Sequence, residues 1–183
     1  MIESRGTIAA AALGCLAAAA VVVAADDPVQ AIPPEKLVAI GKEIYMAKGP
    51  NTCNDCHGPA GTGGSRPAAA NLAKPETWRS YLALGGDQAK MDTALVYLIR
   101  NGALQFTFKF AKQYPDIKYD WAKAGEPKYN AEMFGITQDA TKRRMGELKP
   151  EIEAANKVTL TDDQMKDLAA KAALEYVKTL KKG

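Results

Sequence analysis

Apolar residues recur along this chain mostly at three- and four-residue intervals. Leu37, Ile40, Ile44 and Tyr45 share one face of a helix that Pro33-Pro34 opens and Gly49-Pro50 closes. Near the C-terminus, Met165, Leu168, Ala169, Ala172, Ala173, Tyr176 and Val177 form a longer stripe of the same period. That last helix is signalled at both ends. Thr161 and Gln164 have capping-box spacing, Leu160 can pack on Met165 as a hydrophobic staple, and Lys178, Lys181 and Lys182 suit the negative end of the helix dipole. Between these two helices, Pro75 opens a short helical stretch through Trp78, Tyr81 and Leu82, which Gly85-Gly86 breaks. A further helix starts at Asp87, carries Met91, Ala94, Leu95 and Leu98 on one face, and stops at Asn101-Gly102. Phe106, Phe108 and Phe110 alternate with polar residues and predict a short extended ribbon. With no internal repeat and no series of strands and turns, the pattern predicts an all-α domain.

The N-terminus departs from this pattern. Arg5 precedes an almost wholly apolar run from Thr7 to Ala25, which ends in small residues before Asp26. Residues 1–25 therefore read as a signal peptide removed on export, with an uncleaved membrane anchor as the alternative because the run approaches the length of a membrane span. Residues 26–183 then form one domain. Cys15 lies inside the apolar run, so Cys53 and Cys56 are the only thiols of the exported domain and leave nothing for a further disulfide framework. The net charge of +3 is unchanged by the cut, which removes Glu3 and Arg5 together. So mild a charge does not point to a nucleic-acid partner. A membrane partner is expected only if the N-terminal segment is retained.

The candidate chemistry sits in Thr52-Cys53-Asn54-Asp55-Cys56-His57-Gly58, a Cys-x-x-Cys-His sequence. Two thiols on one helical turn can reach the two vinyl groups on one edge of a porphyrin, while the adjacent imidazole turns onto the iron. A Cys-x-x-Cys pair also serves as a redox dithiol or as half of a zinc site. The dithiol reading expects a preceding strand and a surrounding sheet, which the pattern lacks, and a cysteine/histidine zinc site needs four ligands where the exported domain has three. One covalent haem c held by Cys53, Cys56 and His57 is the expected cofactor. The glycine-rich stretch from Gly58 to Gly64 is expected to be a loop wrapping the haem edge.

The order of these elements resembles class I cytochrome c: an amphipathic helix, Cys-x-x-Cys-His, a Gly/Pro loop, middle helices and a capped C-terminal helix. The resemblance covers roughly residues 36–102 and 158–180. It implies that the first and last helices cross at a small residue packed on aromatics, a role that Gly41 and Tyr45 facing Ala173 and Tyr176 fit. It also implies that a proline carbonyl in the loop accepts a hydrogen bond from the proximal histidine, with Pro67 the best-placed candidate, and that Leu72 lies against the haem face. His57 is the only histidine, so the second face of the iron cannot take another. In the family a methionine from an irregular segment before the last helix closes it. That leaves Met145, preferred, and Met133, although Gly146 and Phe134 follow them where the family often has proline.

The chain departs from a minimal member of that family by an insertion at about residues 103–150, where Phe106, Phe108, Phe110, Tyr114, Tyr119, Trp121, Tyr129 and Phe134 crowd together. Segments so rich in aromatics are ordered, so the insertion is expected to cover the haem or to dock a partner. Trp78 or Trp121 is a candidate donor to a haem propionate, and Lys142-Arg143-Arg144 is either a steering patch for an acidic partner or a solvated helix face. The resemblance implies a periplasmic electron-transfer protein, not an enzyme in itself, that exchanges single electrons with a dehydrogenase, reductase or oxidase. The alternatives are a dedicated haem c subunit of a periplasmic oxidoreductase complex and an open-site haem protein that binds a gas.

Overall fold

The longest amphipathic stripe makes the spine of the molecule. In the computed structural model, which describes Val29 and residues 32–125 and 133–180, the C-terminal helix runs Asp162–Thr179. Thr161 caps it: its hydroxyl accepts the Gln164 N–H at 3.2 Å while the Gln164 side chain accepts the Thr161 N–H at 2.9 Å. Such a cap is worth about 1 kcal/mol. In chain order the helices are α1 (Pro34–Tyr45), α2 (Cys53–His57), α3 (Arg79–Leu84), α4 (Gln88–Gln113), α5 (Trp121–Ala124), α6 (Asp139–Asn156) and this last one, α7. Two 3₁₀ turns, Pro75–Thr77 and Gly135–Thr137, complete the set, and no strand occurs among the described residues. No helix among those residues is long and apolar enough to cross a membrane. The apolar run of residues 1–25, Cys15, Tyr129, Lys181 and Lys182 lie outside the described residues.

The most extensive helix pair is α1 on α7. Its crossing point is Gly41, where a Cβ would collide with the Ala172 carbonyl and lie 3.0 Å from the Tyr176 Cβ. Hydrogen is the only side chain that lets the two backbones approach so closely, and a methyl there costs about 1–3 kcal/mol in overpacking. One turn further along α1, the Tyr45 ring lies 5.2 Å from that of Tyr176. The expected crossing is present, with Ala172 rather than Ala173 under the glycine.

Helix α7 separates two apolar clusters. Met165, Leu168, Ala169, Ala170 and Ala173 face a cluster with Ile44, Ile136, Met145, Leu148, Ile152 and Leu160. Leu174 and Val177 face the other, which holds Tyr45, Trp78, Met91, Leu98, Phe106 and Phe110 and takes in Cys53, Leu72 and Met133 at its margin. The part of α4 before its break at Gly102 lies antiparallel to α7, pinned near its start by Lys178 on Asp92 at 2.7 Å and near the break by Arg100 on Asp163 and Asp167 at 2.7 and 2.6 Å.

The expected ribbon at Phe106–Phe110 is instead helix. After a break at Gly102 (φ 79°, ψ 167°) the chain resumes helical conformation to Gln113. Phe106 and Phe110 are then four residues apart on one face, stacked at 4.5 Å between centroids, while Phe108 points the other way and is 67% exposed. A strand would have put all three on the same side; burial of only two selects the helix. Helix α6 occupies the far part of the insertion, with Thr141, Met145, Leu148 and Ile152 as its buried face. Lys142 and Arg143 stand exposed on it, and Arg144 reaches Glu43 of α1 at 2.6 Å.

Candidate haem-attachment site

The Cys-x-x-Cys-His segment forms a helix of its own. Thr52, almost completely buried, caps α2: its hydroxyl donates to the Gly49 carbonyl at 3.0 Å and accepts the Asp55 N–H at 3.4 Å. Asp55 reaches back to accept the Asn51 N–H at 2.7 Å. The Thr-x-x-Asp spacing is a helix-start signal in the sequence, although Asp55 closes on the Asn51 N–H and not on that of Thr52, and the cap defines one turn carrying Cys53, Cys56 and His57. Neither cysteine is in a disulfide and both are half-buried. Burial pushes the Cys53 thiol up to about 11.

The loop after α2 folds back over it. Gly63 donates to the His57 carbonyl at 2.9 Å, Ser65 to that of Asp55 at 2.7 Å, and Leu72 to that of Gly61 at 2.6 Å. This brings the Ala70 carbonyl 2.9 Å from His57 Nδ1. A carbonyl only accepts, so Nδ1 carries the proton and the lone pair resides on Nε2. Burial also lowers the imidazole pKa, against the Ala70 bond, which raises it; the neutral ring is favoured. An imidazole fixed through Nδ1 and basic at Nε2 is in the state a metal ligand requires. The acceptor is Ala70 and not Pro67, which is exposed three residues earlier. Because the acceptor is a backbone oxygen, no side chain at position 70 advertises it. Leu72 packs at the margin of the apolar cluster that also takes in Cys53.

Two further groups support this turn. The Tyr45 hydroxyl, from the fully buried end of α1, donates to the Gly58 carbonyl at 2.6 Å, one residue past His57. Trp78 Nε1, one of the two candidate propionate donors, donates to the Asn71 carbonyl at 2.9 Å, which anchors the loop. Trp121 sits in a ring cluster, 4.6 Å from Tyr119 and 6.1 Å from Phe106. Tyr97 and Tyr114 extend the same cluster onto Phe110 at 5.4 and 5.1 Å.

The two candidate methionines fall in different clusters. Met145 is 5% exposed in the middle of α6, packed with Ile136, Leu148 and Ile152, in the cluster that does not include Cys53. Met133, half-buried and outside any helix, packs on the cluster that does. Where the sequence favoured Met145 as a ligand, its three-and-four spacing with Thr141, Leu148 and Ile152 makes it a core residue of a helix the sequence pattern left unassigned.

The competing uses of the cysteine pair find no support among the described residues. No strand is present for a dithiol fold, and no three histidine, cysteine or acidic side chains are gathered to hold a bare metal ion. Comparison with protein-family models, with curated proteins and with solved structures finds no match. The donor set itself fits a haem: two thiols three residues apart on one turn, Cys53 at the margin of an apolar cluster, and a histidine on the same turn whose lone pair resides on Nε2.

Proposed function

We propose that this chain is a periplasmic c-type cytochrome of the class I fold that carries one haem c and moves single electrons between redox proteins. The observation that carries the reading is the His57 Nδ1 bond to the Ala70 carbonyl on the same turn as the two cysteines. Cys53 and Cys56 would hold the haem by thioethers, and His57 Nε2 would bind its iron. Bound there, the haem supplies an iron that cycles between ferric and ferrous states. Ala70 holds the imidazole at one orientation, so little of the protein has to rearrange when the charge changes. Leu72, Tyr97 and Phe106 keep water from that side of the cluster. Met133 is the candidate for the sixth ligand in place of Met145: of the methionines packed on the cluster of Cys53, Met91 is on the buried face of α4 and Met46 ends α1, which leaves Met133 as the one from the irregular segment before the last two helices, and a thioether favours ferrous iron.

Export of the full chain through a bacterial cytochrome maturation system tests this reading. The mature protein should begin near Asp26, gain the mass of one haem, and keep it through denaturation. Single Cys53→Ala and Cys56→Ala variants should each be left with one thioether, which shifts the pyridine haemochrome band. Haem that acid and organic solvent extract from the wild type would sink the assignment.

A second reading, a dedicated subunit of a periplasmic oxidoreductase, is favoured by one observation. Leu104 and Phe108, one turn apart on α4, are 50% and 67% exposed. Co-purification with one larger protein at high salt would select it over a free carrier.

A further inference from the structure

The part of α4 after Gly102 is apolar on two sides. Ala103, Phe106 and Phe110 face inward and are buried. Leu104, Phe108 and Ala111, at i, i+4 and i+7, form a second stripe that faces out. Leu104 and Phe108, at 50% and 67%, are the most exposed large apolar residues among those described. One exposed leucine is unremarkable, but a stripe at this spacing is how an amphipathic helix enters a groove on another protein. The stripe is also rigid. Phe106 and Phe110 stack beneath it at 4.5 Å and pack on Tyr97, Tyr119 and Trp121, so binding does not have to order it first.

The charge beside the stripe decides what kind of partner fits it. Lys112, one turn on from Phe108, and Lys109 lie along one edge; both are exposed, and neither forms an ion pair among the described residues. By contrast, Arg100, Arg144, Lys149 and Lys178 each meet a carboxylate at 2.6–2.9 Å. No acidic residue occurs between Asp92 and Asp116, so a second copy of the stripe brings no counter-charge to these lysines. A lipid surface fits no better, since even a whole myristoyl chain, far more apolar than one leucine and one phenylalanine, anchors a protein only marginally. We propose that Leu104, Phe108 and Ala111 dock into an apolar groove of an acidic protein, with Lys109 and Lys112 against carboxylates on one rim of that groove. The surface stands on its own residues; only the partner's role as electron donor or acceptor rests on the proposed function. Phe106 and Phe110 belong to the cluster that takes in Cys53 at its margin, so a partner seated here lies over that cluster.

The experiment expresses the full chain in its native host with the photo-cross-linker benzoylphenylalanine at position 108, and in a second strain at position 146, which is exposed on α6 with open space around it. Irradiation is expected to join position 108, and not position 146, to one protein, identified by mass as acidic and carrying an apolar groove rimmed by carboxylates. That protein, purified, should bind the wild type, and Phe108→Ser should weaken the complex by at least about tenfold. Lys109→Gln combined with Lys112→Gln should slow association and flatten its salt dependence. Because these side chains are exposed, each variant should keep the helical circular dichroism and melting temperature of the wild type. No adduct at position 108, an equal adduct at position 146, a second copy of this chain or a phospholipid as the adduct, or a Phe108→Ser protein that binds as the wild type does, each overturns the proposal. The two readings fail separately: a partner captured at position 108 by a chain without covalent haem keeps the docking surface and removes the redox role, whereas covalent haem with no adduct does the reverse.

Discussion

Replacing Tyr45 with phenylalanine removes one hydrogen bond and almost nothing else. The ring is fully buried where α1 meets α7, and phenylalanine keeps both its volume and its contact with Tyr176 at 5.2 Å. What disappears is the hydroxyl that donates to the Gly58 carbonyl at 2.6 Å. That carbonyl also accepts the Gly61 N–H at 3.1 Å, so it is not orphaned by the change. The cost should therefore be the net worth of one hydrogen bond, about 0.5–1.5 kcal/mol, and not the larger penalty of an unsatisfied buried acceptor, about 1–3 kcal/mol. For a chain of this size that lowers the melting temperature by about 1–6 °C. Thermal and urea unfolding of the wild type and Tyr45→Phe, followed by circular dichroism, measure it. A variant that melts with the wild type would refute the claim that this bond supports the His57 turn. A loss well above 3 kcal/mol would show that the Gly61 bond does not survive alone.

The same residue gives a pH signature. Burial raises the Tyr45 pKa above its ordinary value of about 10, so at higher pH the folded chain keeps a proton that the unfolded chain has released. Stability should fall as the pH rises above about 10, and the gap between the wild type and Tyr45→Phe should narrow there; a gap constant through that range would count against the assignment. Thr161→Ala should cost about 1 kcal/mol by removing half of the reciprocal cap on α7, read as a lower urea midpoint with an unchanged slope. A changed slope would mean that the cap shapes more than the helix end.

Much of the framework was legible because it rests on local chemistry. The periodicity at 37–45 and 165–177, the Thr161/Gln164 box and the Pro75 start each act over a few residues, and each appears as an element of the structure. Alternation at Phe106–Phe110 misled for the converse reason: three residues at every second position fit a ribbon, but Phe106 and Phe110 alone also fit a helical face, and local pattern does not choose between them. Tertiary burial does, since Tyr97, Tyr119 and Trp121 cover two of the rings and leave Phe108 in solvent.

The candidate site divides along the same line. Side-chain identity marks Cys53, Cys56 and His57, because the thiols and the imidazole are themselves the chemistry, and their spacing is covalent. The groups that hold that turn and its loop are mostly backbone oxygens: Ala70 accepts from His57, Gly58 from Tyr45 and, in the loop, Asn71 from Trp78. Every residue has such an oxygen, so sequence alone determined the candidate groups, and only the path of the folded chain decided which carbonyl meets them and that Met133 and Met145 fall in different clusters.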